Sequence, residues 1–202
     1  LGMKNILERF EISVEEFTEI VDANPSLRGF ILGYIGEAKA KKLIKENPSV
    51  SDIYKPDDHN RKSKGDLYIK YKGKEFRIEV KSLQTNDVQN LGGDNWVGKY
   101  QCDASDSREI GLPNGHVVKT TSLLVGEFDV VAVGLYQFGN TWRFAFAKNE
   151  ELPRSKERKA TKKSSSISAE DANYLIKGTL PITWPLKSPY TDDLFSLLDS
   201  ML

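Results

Sequence analysis

The stretch from Gly65 to Gln84, GDLYIKYKGKEFRIEVKSLQ, constrains the fold most, because within it the apolar residues abandon helical spacing for alternation. Lys72-Gly73 interrupts the alternation with a two-residue turn signal, which predicts an antiparallel hairpin. Opposed positions then carry numbers summing to 145. Leu67 meets Ile78 and Ile69 meets Phe76 on one face, while Lys70 meets Glu75, Tyr68 meets Arg77 and Asp66 meets Glu79 on the other. A slip of one residue would mix the two faces, so the register is well specified. It sets two carboxylates directly opposite, with Cβ atoms roughly 4.5 to 5.5 Å apart, where like charges destabilise a sheet. Lys81 projects from the same face and Lys64 lies opposite it, so a salt-bridge network is one answer. A divalent cation with hard oxygen ligands is the other.

The remaining chain reads as helices, then strands, then helices. Ser13 and Glu16 form a capping-box pattern before a short helix from Ser13 to about Ala23. After Pro25 a second helix is predicted from Ser26, its N-cap, to Glu46, where Asn47-Pro48 stops it. Gly29, Gly33, Gly36 and Ala40 recur along it as a small-residue strip suited to close approach of another element. The polar stretch Thr85 to Gly115 predicts a functional loop region, and His116 to Val125 an extended segment. FDVVAVGLYQF, Phe128 to Phe138, predicts a strand buried on both faces, with a second strand at Trp142 to Ala147 beyond the Gly139-Asn140 turn. Pro153 to Ser168 predicts a mobile loop, Ser168 to Lys177 a helix, and Asp192 to Met201 a last helix.

With 202 residues, the chain is expected to form a single domain: an N-terminal helical segment (1–25), a core (26–150) and a basic loop with a C-terminal helical extension (151–202). No apolar run approaches the roughly 18 residues that span a bilayer, and the first residues do not resemble a signal peptide, so a cytoplasmic protein without membrane association is expected. One cysteine, Cys102, excludes an internal disulfide; with only His59 and His116 beside it, any metal must rely mainly on carboxylates. Net charge is zero but unevenly spread: acidic residues dominate from Glu8 to Asp22, basic ones from Arg154 to Lys163.

Asp66, a gap of twelve residues, and then Glu79-Val80-Lys81 resemble the core motif of the PD-(D/E)XK nuclease superfamily, which includes many type II restriction endonucleases. Glu37 fits the glutamate that this family often takes from the preceding helix. The resemblance covers about residues 26 to 84, and GEFDVVAVGLY also resembles a core strand of restriction-enzyme-like domains. Gly65 stands where the family name has proline, and Pro56-Asp57 is a competing start of the motif. The chain holds three acid-x-Lys triplets, and only Glu79-Val80-Lys81 lies within a strand-like alternation.

The resemblance implies a restriction-endonuclease-like three-layer α/β sandwich with a central mixed β-sheet. It implies Mg²⁺, with Mn²⁺ a plausible substitute, held by Asp66, Glu79, the Val80 carbonyl and Glu37, while Lys81 orients water and stabilises developing charge. No organic cofactor is implied. Double-stranded DNA is the expected partner and a homodimer the expected form, one site per chain cutting one strand. Lys99, Gln101, Arg108, Arg154, Arg158, Lys159, Lys162 and Lys163 are candidates for DNA contact, and Asn86, Gln89, Asn90 and Asn95 for base edges. Blander readings stand beside these: Glu37 also suits an i,i+4 pair with Lys41. A repair or junction-resolving nuclease of the same fold, or a catalytically idle DNA-binding or scaffold module, are the rival functions.

Overall fold

In the computed structural model, which describes residues 4–56, 65–162 and 164–202, Lys72 and Gly73 both have positive φ, 47° and 85°. This is the primed turn geometry that matches the twist of a two-residue hairpin. Strands β2 (Leu67–Tyr71) and β3 (Lys74–Ser82) pair in the expected register, Leu67 with Ile78 through Tyr71 with Lys74. Strand β1 (Val50–Tyr54) adds antiparallel to β2. On the other side β3 runs parallel to β8 (Val130–Gly134), and β9 (Phe144–Lys148) closes the sheet antiparallel to β8. The order β1-β2-β3-β8-β9 is therefore a mixed sheet, and β8 is buried at all five positions, as its continuous apolar run requires.

The chain divides into two compact units, Leu1–Ile35 and Gly36–Leu202. The first holds α1 (Ile6–Phe10), α2 (Val14–Ala23) and the start of α3 (Pro25–Lys45). Capping boxes start α1 at Asn5 with Glu8 and α2 at Ser13 with Glu16. Helix α3 begins with Pro25 itself, two residues earlier than a Ser26 cap implies, because a first-turn proline needs no N–H partner.

In the second unit the central sheet is covered on both faces. Ile69, Phe76, Ile78, Ala132 and Phe146 pack with Ala40 and Ile44 of α3 and with Leu194 and Leu198 of α5 (Leu194–Asp199). Against the opposite face, Val131, Val133 and Ala147 pack with Tyr100, Leu180 and Ile182. These come from a small antiparallel sheet, β10 (Thr179–Trp184), β5 (Asn95–Gln101) and β4 (Gln89–Gly92). The fold is thus α/β around a central mixed sheet, layered helix, sheet, sheet. A hairpin of β6 (Asp103–Gly111) and β7 (Val117–Ser122) carries a satellite cluster with Leu112, Val118, Ile167 and Leu175.

Three segments differ from expectation. Thr85–Gly115 is not a loop: β4, β5 and β6 fill most of it. Its strands hide from a periodicity reading because β4 is exposed throughout and β6 only half-covered, and because both pair through register shifts. Pro153–Ser168 is a tied excursion in which Arg158 bridges Ile167 and Thr161 bridges Ser164. The helix capped by Ser168, α4 (Ala169–Ala172), stops after four residues, because Leu175 and Ile176 leave it to pair with Leu124 and Arg154. Strands β1 and β10 were not anticipated.

Candidate active site

Asp66 immediately precedes β2. Its N–H donates to the Ile78 carbonyl at 2.9 Å, extending the ladder one step and setting Asp66 across from Glu79. The Asp66 Oδ2 accepts the Val80 N–H at 2.7 Å, which pins the carboxylate against the backbone of β3. Gly65 explains the missing proline: its φ is +84°, which proline cannot adopt, and a Cβ there would come within 3.3 Å of Arg77 Cβ and the Ile78 carbonyl. Glycine lets the chain turn tightly into β2 and delivers Asp66 to its position.

Glu79 is 9% exposed. Its Oε1 lies 2.6 Å from Lys81 Nζ, which also donates to the Asp103 carbonyl at 3.3 Å. Alternation along β3 puts Glu79 and Lys81 on the side away from Ile78 and Val80, toward fully buried Cys102. Burial pushes the Cys102 thiol up to about 12, so it is inert at neutral pH.

Burial raises the Asp66 carboxyl above the ordinary carboxylate value; Lys81, the Val80 N–H and Lys55 pull it down, while Glu37 pushes it up. Glu79 is raised likewise, by burial first and by Asp66, against the opposing pull of Lys81. Burial presses Lys81 down, but Glu79 and Asp66 together outweigh it and hold the ammonium firmly protonated. With both carboxyls ionised, the cluster of Asp66, Glu79 and Lys81 carries one more negative than positive charge. That excess, kept out of water, is costly unless a cation joins it.

Glu37 does not pair with Lys41; its Oε2 is 2.6 Å from Lys55 Nζ, and both side chains are mostly buried. Lys55, the residue immediately after β1, reaches the site by tertiary path alone and is the site residue that sequence reasoning missed. The small-residue strip serves close approach at Gly36, where a Cβ would lie 3.4 Å from Ser82 Oγ, whereas at Gly29 and Gly33 it would meet no atom of the described residues within 4 Å. Among the described residues no three His, Cys, Asp or Glu side chains converge as a ready metal cage. The oxygens available together are those of Asp66 and Glu79. This suits Mg²⁺, which commonly takes one or two carboxylates and completes its shell with water and substrate phosphate.

The candidate DNA contacts are scattered in role. Arg108 is committed to a two-pronged pair with buried Glu127, so it holds β6 to the core instead of facing phosphate. Arg154 donates to the Leu152 and Glu150 carbonyls at 2.5 and 2.6 Å, and Arg158 to Thr120 Oγ1 at 2.6 Å. Lys99 pairs with Asp87 at 3.2 Å and Gln101 donates to Asp103 at 2.9 Å, both at the surface. Lys159 and Lys162 are exposed. Asn90 and Asn95 bond to Gly92 and Gly93 and shape the β4–β5 turn. His116 pairs with buried Asp171 at 3.0 Å, a structural role. Asp57, His59, Lys64 and Lys163 lie outside the described residues.

No protein-family model matches this chain. No curated protein matches it either. Among solved structures it is similar to a bacterial homing endonuclease, I-Ssp6803I, at 17% identity over 58% of this chain and 67% of that one, with a TM-score of 0.35. A likeness that slight does not bear on function.

Proposed function

We propose that the chain is a Mg²⁺-dependent endonuclease that hydrolyses phosphodiester bonds of double-stranded DNA, acting as a homodimer in a restriction system. The observation that carries this reading is the facing pair of carboxylates, half-buried Asp66 and buried Glu79, held on adjacent strands with Lys81 ion-paired to Glu79. A chain gains nothing in stability from such a pair, so the arrangement points to chemistry.

Asp66, Glu79 and the Val80 carbonyl would hold the ion, which when bound supplies charge compensation on the phosphate and makes water acidic enough to attack. The Val80 N–H keeps Asp66 in one rotamer for that task. Lys81 is already aligned through Glu79 and the Asp103 carbonyl, and its firmly held proton makes it a donor to attacking water or to the oxygens on which charge develops. Water adds to phosphorus as the bond to the 3′ oxygen breaks, leaving the 5′ phosphate and 3′ hydroxyl that the family resemblance implies. Glu37 takes part through Lys55, with which it makes a neutral pair beside Asp66.

The test is cleavage of plasmid and linear DNA in Mg²⁺ by the wild type, Glu79→Ala and Lys81→Ala, with calorimetric titration of Mg²⁺ alongside. The wild type is expected to cut and each variant to lose about a hundredfold or more, the size of effect seen when a transition-state donor is removed. Equal cutting by all three would reject the site. Discrete fragments fit restriction, structure-dependent cutting fits repair, and no Mg²⁺ uptake with no cutting fits an idle module whose three residues are a surface network.

A further inference from the structure

Two further charged side chains of the second unit stand beside the carboxylate pair. Glu37 follows Gly36, where α3 comes against β3: a Cβ at Gly36 would lie 3.4 Å from Ser82 Oγ. Lys55 arrives from the far side of the hairpin. Tyr54 lies across from Tyr68, so the next residue, Lys55, leaves β1 level with Leu67, the neighbour of Asp66. Lys55 Nζ reaches Glu37 Oε2 at 2.6 Å, with the two side chains only 29% and 20% exposed. Both act on Asp66: burial first raises its carboxyl, while Lys55 pulls it down and Glu37 pushes it up. A half-buried ion pair gives up hydration that its own attraction barely returns, so stability is a poor reason for it.

We infer that Lys55 takes the place of a second metal ion: it occupies Glu37, so that the centre holds a single divalent ion on Asp66 and Glu79 and Glu37 is not a ligand. The inference rests on the nuclease reading and fixes the number of ions in it. The charges agree. With the carboxyls ionised, Asp66, Glu79 and Glu37 carry three negative charges, and Lys81 and Lys55 return two of them. The single negative charge left over is balanced by one divalent ion together with one singly charged phosphodiester. A second divalent ion would leave a double positive charge in a half-buried site, which is costly. On the other oxygen of Glu37 such an ion would also lie against the Lys55 ammonium and be repelled by it. The same centre without Lys55 would have three carboxylates and an excess of two negative charges, enough to draw a second ion. An ammonium is a compact positive charge with N–H donors, so Lys55 supplies beside the phosphate part of the compensation that two-ion centres take from their second metal.

The test counts Mn²⁺ bound to the full chain by electron paramagnetic resonance, with no DNA present and circular dichroism confirming the fold of each variant. The wild type is expected to take one ion per chain, and Lys55→Arg, which keeps the charge, the same. Lys55→Met frees Glu37 and is expected to take two, its spectrum broadened by coupling between ions roughly 3.5 to 4 Å apart. Lys55→Gln, which keeps an N–H for Glu37 but no charge, is expected to match it and serves where the Met variant does not fold. Lys55→Met/Glu37→Gln is expected to return to one. Two ions on the wild type, or one on the folded neutral variants, overturns the inference and leaves the nuclease reading standing. So does a second ion in Lys55→Met that Glu37→Gln fails to remove, because that ion does not use Glu37. A wild type that takes no ion and cuts no DNA removes the nuclease reading and this inference with it.

Discussion

Asp66 shows in one side chain how a site is kept at the expense of stability. Its folded-state pKa lies above the ordinary value of 3.8, with burial the first cause. A carboxyl raised in this way makes folding less favourable once it ionises. The penalty is absent below the ordinary value, grows as pH climbs from there through the raised value, and is complete above it. Asp66→Asn removes it while an amide oxygen still accepts the Val80 N–H, and Glu79 with Lys81 is left as a neutral pair. The expected result is a melting temperature a few degrees higher at pH 7, about what 1 kcal/mol gives in a chain of this size, with the gain vanishing near pH 4 and cleavage lost. Differential scanning calorimetry of both proteins at the two pH values decides it, and an Asn variant less stable at pH 7 contradicts the electrostatic account.

At the scale of the hairpin, two glycines with similar φ do different work. Gly73 sits in the turn at +85° with no atom of the described residues within 4 Å of an added Cβ, so Gly73→Ala meets only the left-handed backbone penalty, about 1 kcal/mol. Gly65 at +84° adds contacts of 3.3 Å with β3. Gly65→Ala should therefore cost more stability and, by shifting Asp66, reduce Mg²⁺ affinity, whereas Gly73→Ala should leave it unchanged; urea unfolding and metal titration of the two variants separate the cases. The same element explains what was legible from sequence. Leu67, Ile69, Phe76 and Ile78 alternate against charged neighbours within twenty residues, and a two-residue turn fixes their register, so the facing of Asp66 and Glu79 followed by counting. The contact of Glu37 with Lys55 joins a helix to a loop beyond a strand that itself went unseen, and no local pattern encodes it. Strands β4 and β6 lack an apolar face to alternate, and their shifted registers are set by what they pack on.

The whole molecule is electrically neutral, with 29 basic and 29 acidic residues, and that governs how it can hold DNA. Binding to a polyanion strengthens by about 0.9 in log affinity for each unit decrease in log salt, per phosphate neutralised. Among the described residues, three of the six basic candidates are already spent within the fold: Arg108 on Glu127, Arg154 on carbonyls, Arg158 on Thr120. Lys99 has only a surface partner, and Lys159 and Lys162 are exposed. Two or three phosphate contacts per chain, doubled in a dimer, give a salt slope of about −3.6 to −5.4. Fluorescence anisotropy with the non-cutting Glu79→Gln between 50 and 200 mM salt, about the range over which such slopes are read, measures it. Lys159→Ala/Lys162→Ala should make the slope shallower by about 2 per chain, while Arg108→Ala should leave it unchanged and lower the melting temperature, because a buried Glu127 loses its partner. A slope near −10, or one that Arg108→Ala makes shallower, would mean that the fold releases its arginines to the DNA, and the assignment of Arg108 to the core would fall.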